Sequence, residues 1–220
     1  MRVLALIPAL NEEARIGATL AAIRRIPEIT AVRVVNDGST DRTAAIAREF
    51  GAEVLDLPEN VGKGEALNRA ARGVEEEVVV LLDADLGASA EEARKIILPV
   101  LRGEADLTIG RFPPAKKKGG FGMVKKLACW GIAREGMIAE APLSGQRAMK
   151  RQVLEAVLPF HAGYGIELGM TIRALRKGYR VLEVPVEMTH AETGRDLKGF
   201  IHRGRQFLDV FKVILREARR

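Results

Sequence analysis

Two aspartates, Asp83 and Asp85, stand one residue apart at the end of the apolar run Val78 to Leu82. A buried strand that delivers two carboxylates to its end is unfavourable unless a cation neutralises them. Such oxygen ligands suit a hard divalent ion, Mg²⁺ or Mn²⁺, whose remaining positions are usually filled by water and phosphate oxygens. An isolated Asp-x-Asp triplet can also be an exposed acidic turn, but three signals upstream favour metal binding.

The first of these signals is a lysine between glycines, in the segment Asn60-Val61-Gly62-Lys63-Gly64-Glu65-Ala66-Leu67. Backbone N–H groups at a helix N-terminus and a compact ammonium both suit a diphosphate. The segment is not a Walker A loop, since the spacing Gly-x-x-x-x-Gly-Lys-Ser/Thr is absent.

The other two signals are Pro8 and Asp37, each at the end of a predicted strand. Pro8 ends its strand rigidly, so that the following backbone can lie against a flat base or ribose. Asp37 is suited to accept hydrogen bonds from a nucleobase or ribose, or to hold its own turn as an Asx motif. Glu12 and Glu13, which follow Pro8, also favour a helix N-terminus through its dipole.

Short apolar runs alternate with amphipathic helical stretches over the first 110 residues, which is the pattern of a parallel βαβ sheet. Strands are predicted over 3–8, 32–36, 53–57, 78–83 and 107–109, and helices over 12–25, 40–50, 63–72 and 90–101. Ligands of open parallel sheets bind beyond the carboxyl ends of the strands. Pro8, Asp37, Asp83 and Asp85 fall at such ends and are therefore expected to converge on one site.

Composition bounds the protein class. With 220 residues, 47% of them hydrophobic, the chain is expected to form a single domain. One cysteine excludes an internal disulfide and a cysteine-based zinc cluster. No apolar stretch reaches the roughly 20 residues that span a bilayer, and residues 1–10 resemble a first strand rather than a signal peptide. A cytoplasmic location is expected, with peripheral contact at the inner membrane face as an option.

Charge is unevenly distributed along the chain. Residues 1–110 contain 13 Lys and Arg against 19 Asp and Glu, whereas residues 111–220 contain 22 against 10. The second half is therefore expected to attract a phosphorylated acceptor, a membrane surface or nucleic acid. Nucleic acid is disfavoured, because there is no recognition-helix or zinc-finger signature and only 5% of residues are aromatic.

The rhythm of strands and helices breaks over residues 111–126, which contain Pro113, Pro114 and the run Lys116-Lys117-Lys118. This basic loop is either a solvated surface or a lid over phosphates. Helices are predicted over 121–139 and 165–177, a strand over 179–187, and a long basic amphipathic helix over 197–219.

Four ordered segments resemble the nucleotide-sugar glycosyltransferases of the GT-A fold, close to family 2. The segments are Pro8-Ala9-Leu10-Asn11-Glu12-Glu13, Asn36-Asp37-Gly38-Ser39-Thr40-Asp41, Gly62-Lys63-Gly64-Glu65-Ala66-Leu67 and Leu82-Asp83-Ala84-Asp85-Leu86. The one departure is Asn36, where an Asp is common.

The resemblance implies an α/β fold of the GT-A (Rossmann-like) type, a single domain with a mostly parallel sheet flanked by helices. Residues 1–110 would bind the sugar nucleotide and residues 111–220 the acceptor. The nucleotide would lie among Pro8, Ala9, Leu10, Glu12, Asp37, Gly62, Lys63, Asp83 and Ala84. Asp83 would face the ribose or sugar, and Asp85 would bind the metal.

The second half resembles two branches of this group. The segments 142–148, 158–160 and 163–169 are similar to glucosyl-3-phosphoglycerate synthases, whereas 178–186 and 190–195 are similar to polyprenyl-phosphate sugar transferases, including dolichyl-phosphate mannose synthase. The first resemblance implies an acceptor site that contains Gly110, Arg111, Leu143, Ser144, Gly145 and Tyr164. It also gives His190 the role of a second metal ligand, beside Asp85.

Two residues of this half carry charge suited to the reaction. Arg111 is a good candidate for an acceptor phosphate, because its planar guanidinium binds phosphate in a bidentate manner. Glu167 stands in the first turn of a predicted helix, either as a structural acid stabilised by the dipole or as a group that orients the sugar or the acceptor hydroxyl.

The predicted reaction is transfer of a hexose from a UDP- or GDP-sugar to a small anionic acceptor, a phosphoglycerate-like molecule, with Mg²⁺ or Mn²⁺ as cofactor. Asp83, Asp85 and Glu167 are the predicted catalytic residues. The alternatives are a polyprenyl-phosphate sugar transferase acting at the membrane, a sugar nucleotidyltransferase and a non-catalytic basic binding module. A homodimer is compatible with the sequence.

Overall fold

In the part of the chain that the structure describes, seven strands form one sheet in the order β3-β2-β1-β4-β6-β5-β7. The structure, a computed structural model, describes residues 1–113, 122–189 and 208–217. The strands are β1 (Val3–Ala9), β2 (Ala31–Asp37), β3 (Glu53–Leu57), β4 (Val78–Leu81), β5 (Leu107–Arg111), β6 (Arg147–Lys150) and β7 (Val181–Pro185). Only β6 runs antiparallel to its neighbours β4 and β5, and the other pairs are parallel. The predicted α/β class with a mostly parallel sheet is confirmed.

Helices cover both faces of the sheet. They are α1 (Ile16–Ile23), α2 (Thr43–Glu49), α3 (Lys63–Ala70), α4 (Ala93–Leu101), α5 (Met123–Ala133), α6 (Arg151–Val157), α7 (Ile166–Arg176) and α8 (208–217). Helices α1, α2 and α4 pack on one face, and α3, α6 and α7 pack on the other. Within the described ranges, no helix has the length and apolar composition needed to cross a bilayer.

Strand β1 lies in the middle of this arrangement. Val3, Ala5 and Ile7 face the α1 side, and Leu6 faces the α3 side. A strand buried on both faces reads as a continuous apolar run, which is why the first ten residues were identifiable as a strand. A third apolar cluster joins α5, α7 and α8.

Strand β6 and helix α6 were not predicted. Strand β6 is the four-residue segment Arg-Ala-Met-Lys, which is too short and too polar to show an apolar run. It forms because it is hydrogen-bonded to β4 on one side and to β5 on the other. Both of these strands are distant from β6 in the sequence. Neither strand β6 nor its antiparallel direction could be read from local periodicity.

Several predicted boundaries also differ. Helix α1 begins at Ile16 rather than Glu12, and a 3₁₀ turn over Gly87–Glu92 precedes α4. Helix α5 ends at Ala133 rather than at residue 139, and Gly136 follows with φ of 86°. Arg111 ends β5 instead of opening a loop. Residues 114–121 of the predicted basic loop, and 197–207 and 218–219 of the predicted C-terminal helix, lie outside the described residues.

Asp106 links β5, β6 and β7 at the end of the sheet that lies opposite the carboxyl ends of the parallel strands. Its carboxylate accepts hydrogen bonds from Lys150 Nζ at 2.6 Å and from Arg180 Nε and Nη2 at 3.1 and 3.2 Å. Arg180 in first place, and Lys150 after it, lower the pKa of Asp106 well below its ordinary range even though burial opposes them. The ionised carboxylate therefore stabilises the contact between β5, β6 and β7.

Replacement of Asp106 by Asn should lower the free energy of unfolding at pH 7 by roughly 1–3 kcal/mol. Because folding lowers the pKa of this carboxyl, its contribution is present above the unfolded-state pKa of about 4 and is lost as the pH falls below that value. Urea denaturation at pH 7 and at pH values below about 4 measures both effects. The exposed Glu155→Gln is the matched control and should change stability by less than about 0.5 kcal/mol; equal losses in the two variants would contradict the assignment.

Candidate active site

A cleft of about 380 Å³ opens at the carboxyl ends of β1, β2 and β4. We call it the main cleft. Its lining includes every residue predicted to surround a nucleotide, together with Asn60 and Asp85: Pro8, Ala9, Leu10, Glu12, Asp37, Asn60, Gly62, Lys63, Asp83, Ala84 and Asp85. Parallel strands that end at the same edge bring these distant residues together, as the rule for open sheets predicts.

Lys63 joins two carboxylates at the floor of the main cleft. Its Nζ lies 2.8 Å from Asp83 Oδ1 and 3.4 Å from Glu167 Oε1. Burial alone would lower the pKa of Lys63, but the negative charges of Glu167 and Asp83 raise it above its ordinary value. The lysine is therefore a permanent cation. Glu167 is buried in the first turn of α7 and faces Lys63 rather than solvent.

Gln146 orients the carboxylate of Asp83 through two reciprocal hydrogen bonds. Gln146 Nε2 donates to Asp83 Oδ2 at 2.5 Å, and the Asp83 backbone N–H donates to Gln146 Oε1 at 3.0 Å. Gln146 is fully buried. Its backbone carbonyl accepts the backbone N–H of Gly110 at 2.8 Å. It thus connects the ends of β4 and β5. Sequence reasoning gave Gln146 no role, because only the antiparallel placement of β6 brings it beside Asp83.

A side chain at Gly145 would crowd Lys63 and Asp83. A Cβ atom there would lie 3.0 Å from Lys63 Nζ and 3.2 Å from Asp83 Oδ2. A larger residue would therefore press on the Lys63–Asp83 pair. The structure places Gly145, which was predicted on the acceptor side, beside Lys63 and Asp83, two residues that line the main cleft.

Asp37 closes the loop that leads to Lys63. Its two carboxylate oxygens accept the backbone N–H groups of Val61 at 2.8 Å and Gly62 at 3.0 Å. The sequence also allowed an Asx motif, in which the Asp37 carboxylate accepts hydrogen bonds from the turn that follows it. The carboxylate instead accepts the amides of residues 24 and 25 positions further along the chain. Asp37 therefore fixes the entrance to α3 and also lines the main cleft.

The wall of the main cleft beside Glu12 is negative. Burial raises the pKa of Glu12 despite the opposing charge of Arg15, and the charges of Asp85, Asp41 and Asp83 raise it further. Glu12 Oε2 is buried and accepts no hydrogen bond from any residue that the structure describes. A cation bound beside Asp85 would relieve this accumulation of negative charge.

The donor set at Asp85 fits a hard divalent ion only in part. Within the described ranges, no three His, Cys, Asp or Glu side chains are grouped closely enough to hold a metal alone. Mg²⁺ is commonly bound through one or two carboxylates plus substrate phosphates and water, and Asp85 suits that manner of binding. His190, the second predicted ligand, lies outside the described residues.

A second groove of about 460 Å³ lies at the ends of β5 and β7. It is lined by Arg111, Phe112, Pro113, Lys125, Glu140, Pro185, Val186 and Glu187. Arg111 Nη1 lies 2.6 Å from Glu140 Oε1. In the sheet, β6 alone lies between β4, at one side of the main cleft, and β5, at one side of the second groove, and two strand spacings amount to about 10 Å.

The remaining predicted acceptor residues are distributed around these two sites. Leu143 packs against the apolar cluster of α5, α7 and α8, whereas the buried Ser144 Oγ has no hydrogen-bond partner among the described residues. Gly110 is buried beside Gln146. The side chain of Tyr164, also predicted at the acceptor site, lies outside what the structure describes.

The arrangement offers three chemical capabilities. Asp85 can contribute to binding a divalent cation, Lys63 supplies a fixed positive charge, and Arg111 offers a guanidinium in a separate groove. Cations held beside a phosphate leaving group stabilise the charge that develops on it.

Comparison with known proteins gives a family and several relatives. The profile of Glycosyl transferase family 2 matches residues 5–162. An uncharacterized glycosyltransferase of Mycobacterium tuberculosis is 30% identical over 217 residues, which cover 94% of this chain and 95% of the relative. A dolichyl-phosphate hexose transferase of Haloferax volcanii is 31% identical over 182 residues, 80% of this chain and 78% of the relative.

Glucosyl-3-phosphoglycerate synthase of M. tuberculosis is similar in both sequence and structure. It is 31% identical over 194 residues, which cover 76% of this chain but only 58% of that enzyme. Its crystal structure with phosphoglyceric acid matches 98% of this chain and 79% of that chain, with a TM-score of 0.81 and 27% identity. Its complex with Mn²⁺, UDP-glucose and phosphoglyceric acid has a TM-score of 0.78. The predicted GT-A fold is confirmed by these matches.

Replacement of Asp37 by Ala should release the Val61 and Gly62 amides, because both lose their shared acceptor. We expect hydrogen exchange at these amides to become on the order of 10-fold faster or more, with Asp37→Asn intermediate since it keeps one oxygen. Amide exchange followed by NMR measures this. Asp56→Ala, on the neighbouring strand, is the control; unchanged protection in Asp37→Ala would show that other contacts hold the loop.

Proposed function

Because the chain belongs to glycosyl transferase family 2 and is a glycosyltransferase, we propose that it transfers a hexose from a nucleoside diphosphate sugar to a small anionic acceptor, with Mg²⁺ or Mn²⁺ as cofactor. The convergence of Asp37, Lys63, Asp83 and Asp85 on the main cleft is the observation that carries this proposal. Further support comes from the complexes of glucosyl-3-phosphoglycerate synthase with Mn²⁺ or Mg²⁺ and UDP.

Donor binding would use three parts of the main cleft. The backbone after Pro8 and the carboxylate of Asp37 flank space for the nucleoside. Lys63 stands at the N-terminus of α3, where backbone N–H groups favour an anion. Its ammonium has three donors, of which two point to Asp83 and Glu167. Among the described residues these are its two partners, so the third donor would serve a diphosphate oxygen.

Asp85 would hold the metal together with the diphosphate. The chemistry that a divalent cation held by Asp85 would supply is stabilisation of the negative charge on the departing nucleoside diphosphate. Asp83, held by Lys63 and Gln146, and Glu167, held by Lys63, would orient the sugar. An acceptor phosphate would bind Arg111, while an acceptor hydroxyl would lose its proton to a carboxylate or to the departing diphosphate.

The second groove supports an anionic acceptor. Arg111 and Lys125 line it, and glucosyl-3-phosphoglycerate synthase has been crystallised with Mn²⁺, UDP-glucose and either phosphoglyceric acid or glycerol 3-phosphate. Arg111 is paired with Glu140 at 2.6 Å, so an incoming phosphate would compete with this carboxylate. A planar guanidinium can bind the phosphate in a bidentate manner, which lysine cannot.

A polyprenyl phosphate is the alternative acceptor. It is favoured by exposed apolar side chains near basic ones on α5 and α8 and in the turn after α5. The apolar residues are Met123, Trp130, Ile138, Leu208, Phe211 and Leu215. Trp130 is 52% exposed with Arg134 stacked 5.1 Å from its ring centre, and such an amphipathic surface suits a membrane interface. The similarity to a dolichyl-phosphate hexose transferase points the same way.

Asp85→Asn should weaken metal-dependent nucleotide binding. Calorimetry of UDP and GDP with and without Mn²⁺ measures it. We expect Mn²⁺ to tighten binding to the unaltered protein, and this gain to fall by on the order of 10-fold or more in the variant, because a charged ligand is lost. Asp56→Asn, which lies outside the lining of the main cleft, should retain the full gain. If UDP and GDP bind the unaltered protein no more tightly with Mn²⁺, the proposed function fails.

Arg111→Lys should raise the acceptor KM by roughly 10-fold or more and leave donor hydrolysis unchanged, since one bidentate contact is lost. The assay combines UDP- and GDP-sugars with Mn²⁺, with and without 3-phosphoglycerate or polyprenyl phosphate. Arg102→Lys, an exposed residue at the end of α4 that lines neither site, is the control. If only polyprenyl phosphate is used as an acceptor, the protein is a polyprenyl-phosphate sugar transferase. If the acceptor KM is unaltered in Arg111→Lys, Arg111 does not bind the acceptor.

A further inference from the structure

The segment 140–146 connects the second groove to the main cleft. At its start, Glu140 pairs with Arg111. At its end, Gly145 lies against Lys63 and Asp83, and Gln146 forms the reciprocal hydrogen bonds with Asp83. A shift in this segment would therefore change the placement of the two sites relative to each other.

Glu183 holds the first part of the segment by its amides. The carboxylate accepts the Glu140 N–H at 2.9 and 3.0 Å and the Ala141 N–H at 2.8 Å. Glu183 belongs to β7, the edge strand of the sheet. The segment is thus fixed from the edge of the sheet at one side.

Arg147 holds the same segment by its carbonyls from the core. Its Nε donates to Ser144 O at 2.8 Å, and its Nη2 donates to Pro142 O at 3.4 Å. Its Nη1 donates to Thr171 Oγ1 at 2.8 Å, and that hydroxyl donates to Glu167 O at 3.0 Å. One guanidinium therefore joins the segment to the helical turn that carries Glu167.

The burial of Arg147 is unusual. Its side chain is fully buried, yet no carboxylate within the described ranges lies at ion-pair distance from it, and its three hydrogen bonds go to neutral oxygens. Burial lowers the pKa of this group to about 10, while the charges of Glu167 and Glu183 oppose the shift. A buried cation without a paired anion is unfavourable for stability. The residue is thus better explained by what it positions than by what it stabilises.

We propose that Arg147, acting with Glu183, is a positioning residue that fixes the segment 140–146 so that the donor and acceptor sites keep one relative placement. The proposal rests on the proposed function. It predicts that loss of Arg147 uncouples the two sites: the donor still binds, but the acceptor is used poorly and a larger share of the donor is hydrolysed. Misplacement of reactants by small distances is known to have large effects on rate.

The test compares Arg147→Met and Arg147→Lys with the unaltered protein. UDP binding with Mn²⁺ should stay within about 2-fold, whereas the KM for 3-phosphoglycerate should rise by on the order of 10-fold and the ratio of transfer to hydrolysis should fall similarly. Arg147→Lys should recover only part of the loss, because a lysine cannot serve three oxygens with a planar fork. Hydrogen exchange of peptides covering residues 139–146 should accelerate in both variants without any substrate.

Arg173→Met is the matched control. Arg173 is also a buried arginine and donates to the carbonyls of Val157 and Pro159, but it does not hold the segment. It should lose stability without a change in acceptor KM or in exchange over 139–146. If Arg147→Met does not fold, the proposal is tested with Arg147→Lys and Glu183→Gln. Each of these variants should accelerate hydrogen exchange over residues 139–146.

These experiments distinguish failure of the role proposed for Arg147 from failure of the proposed function. Unchanged exchange over 139–146 together with an unchanged acceptor KM in a folded Arg147 variant overturns the proposal, as does full recovery by lysine. Absence of Mn²⁺-dependent UDP binding in the unaltered protein instead overturns the proposed function, while the exchange data still decide whether Arg147 holds the segment.

Discussion

A single ammonium, that of Lys63, lies between Asp83 and Glu167, and the rest of the site is built around this contact. The two carboxylates come from opposite halves of the chain and are only partly exposed, so without a cation their approach would be unfavourable. Their charges raise the pKa of Lys63, which keeps the lysine a cation between them. Gln146 then fixes the orientation of Asp83 through hydrogen bonds that do not alter its charge.

The antiparallel strand β6 is what allows the two halves to meet. Its parallel neighbours β4 and β5 present their carboxyl ends to the site, whereas β6 presents its beginning. Residues just before and at the start of β6, among them Gly145, Gln146 and Arg147, therefore lie between the main cleft and the second groove. Glu183 and Arg147 bind the preceding segment from two sides, so its backbone is fixed before any ligand arrives.

Charge differs between the two sites in the direction that the proposed substrates require. The main cleft is lined by Glu12, Asp37, Asp83 and Asp85, with Lys63 as its cation, and it suits a metal together with a diphosphate rather than a diphosphate alone. The second groove balances Arg111 and Lys125 against Glu140 and Glu187, so it lacks the negative excess of the main cleft, and it lies in the half of the chain with 22 Lys and Arg against 10 Asp and Glu. This division matches a reaction in which a metal-bound donor meets an anionic acceptor.

The sequence by itself determined the sheet up to β5, the family and the residues that line the main cleft, because apolar periodicity and motifs at strand ends are local properties of the chain. Helices α1 and α5 were predicted too long, since their ends depend on turns such as the one at Gly136. Only the tertiary structure decided that Asp37 binds the amides of Val61 and Gly62, that Gln146 pairs with Asp83, and that Arg147 is buried. These contacts join residues 24 to 63 positions apart or depend on β6, which is too short and polar to be recognised until β4 and β5 supply its hydrogen-bond partners.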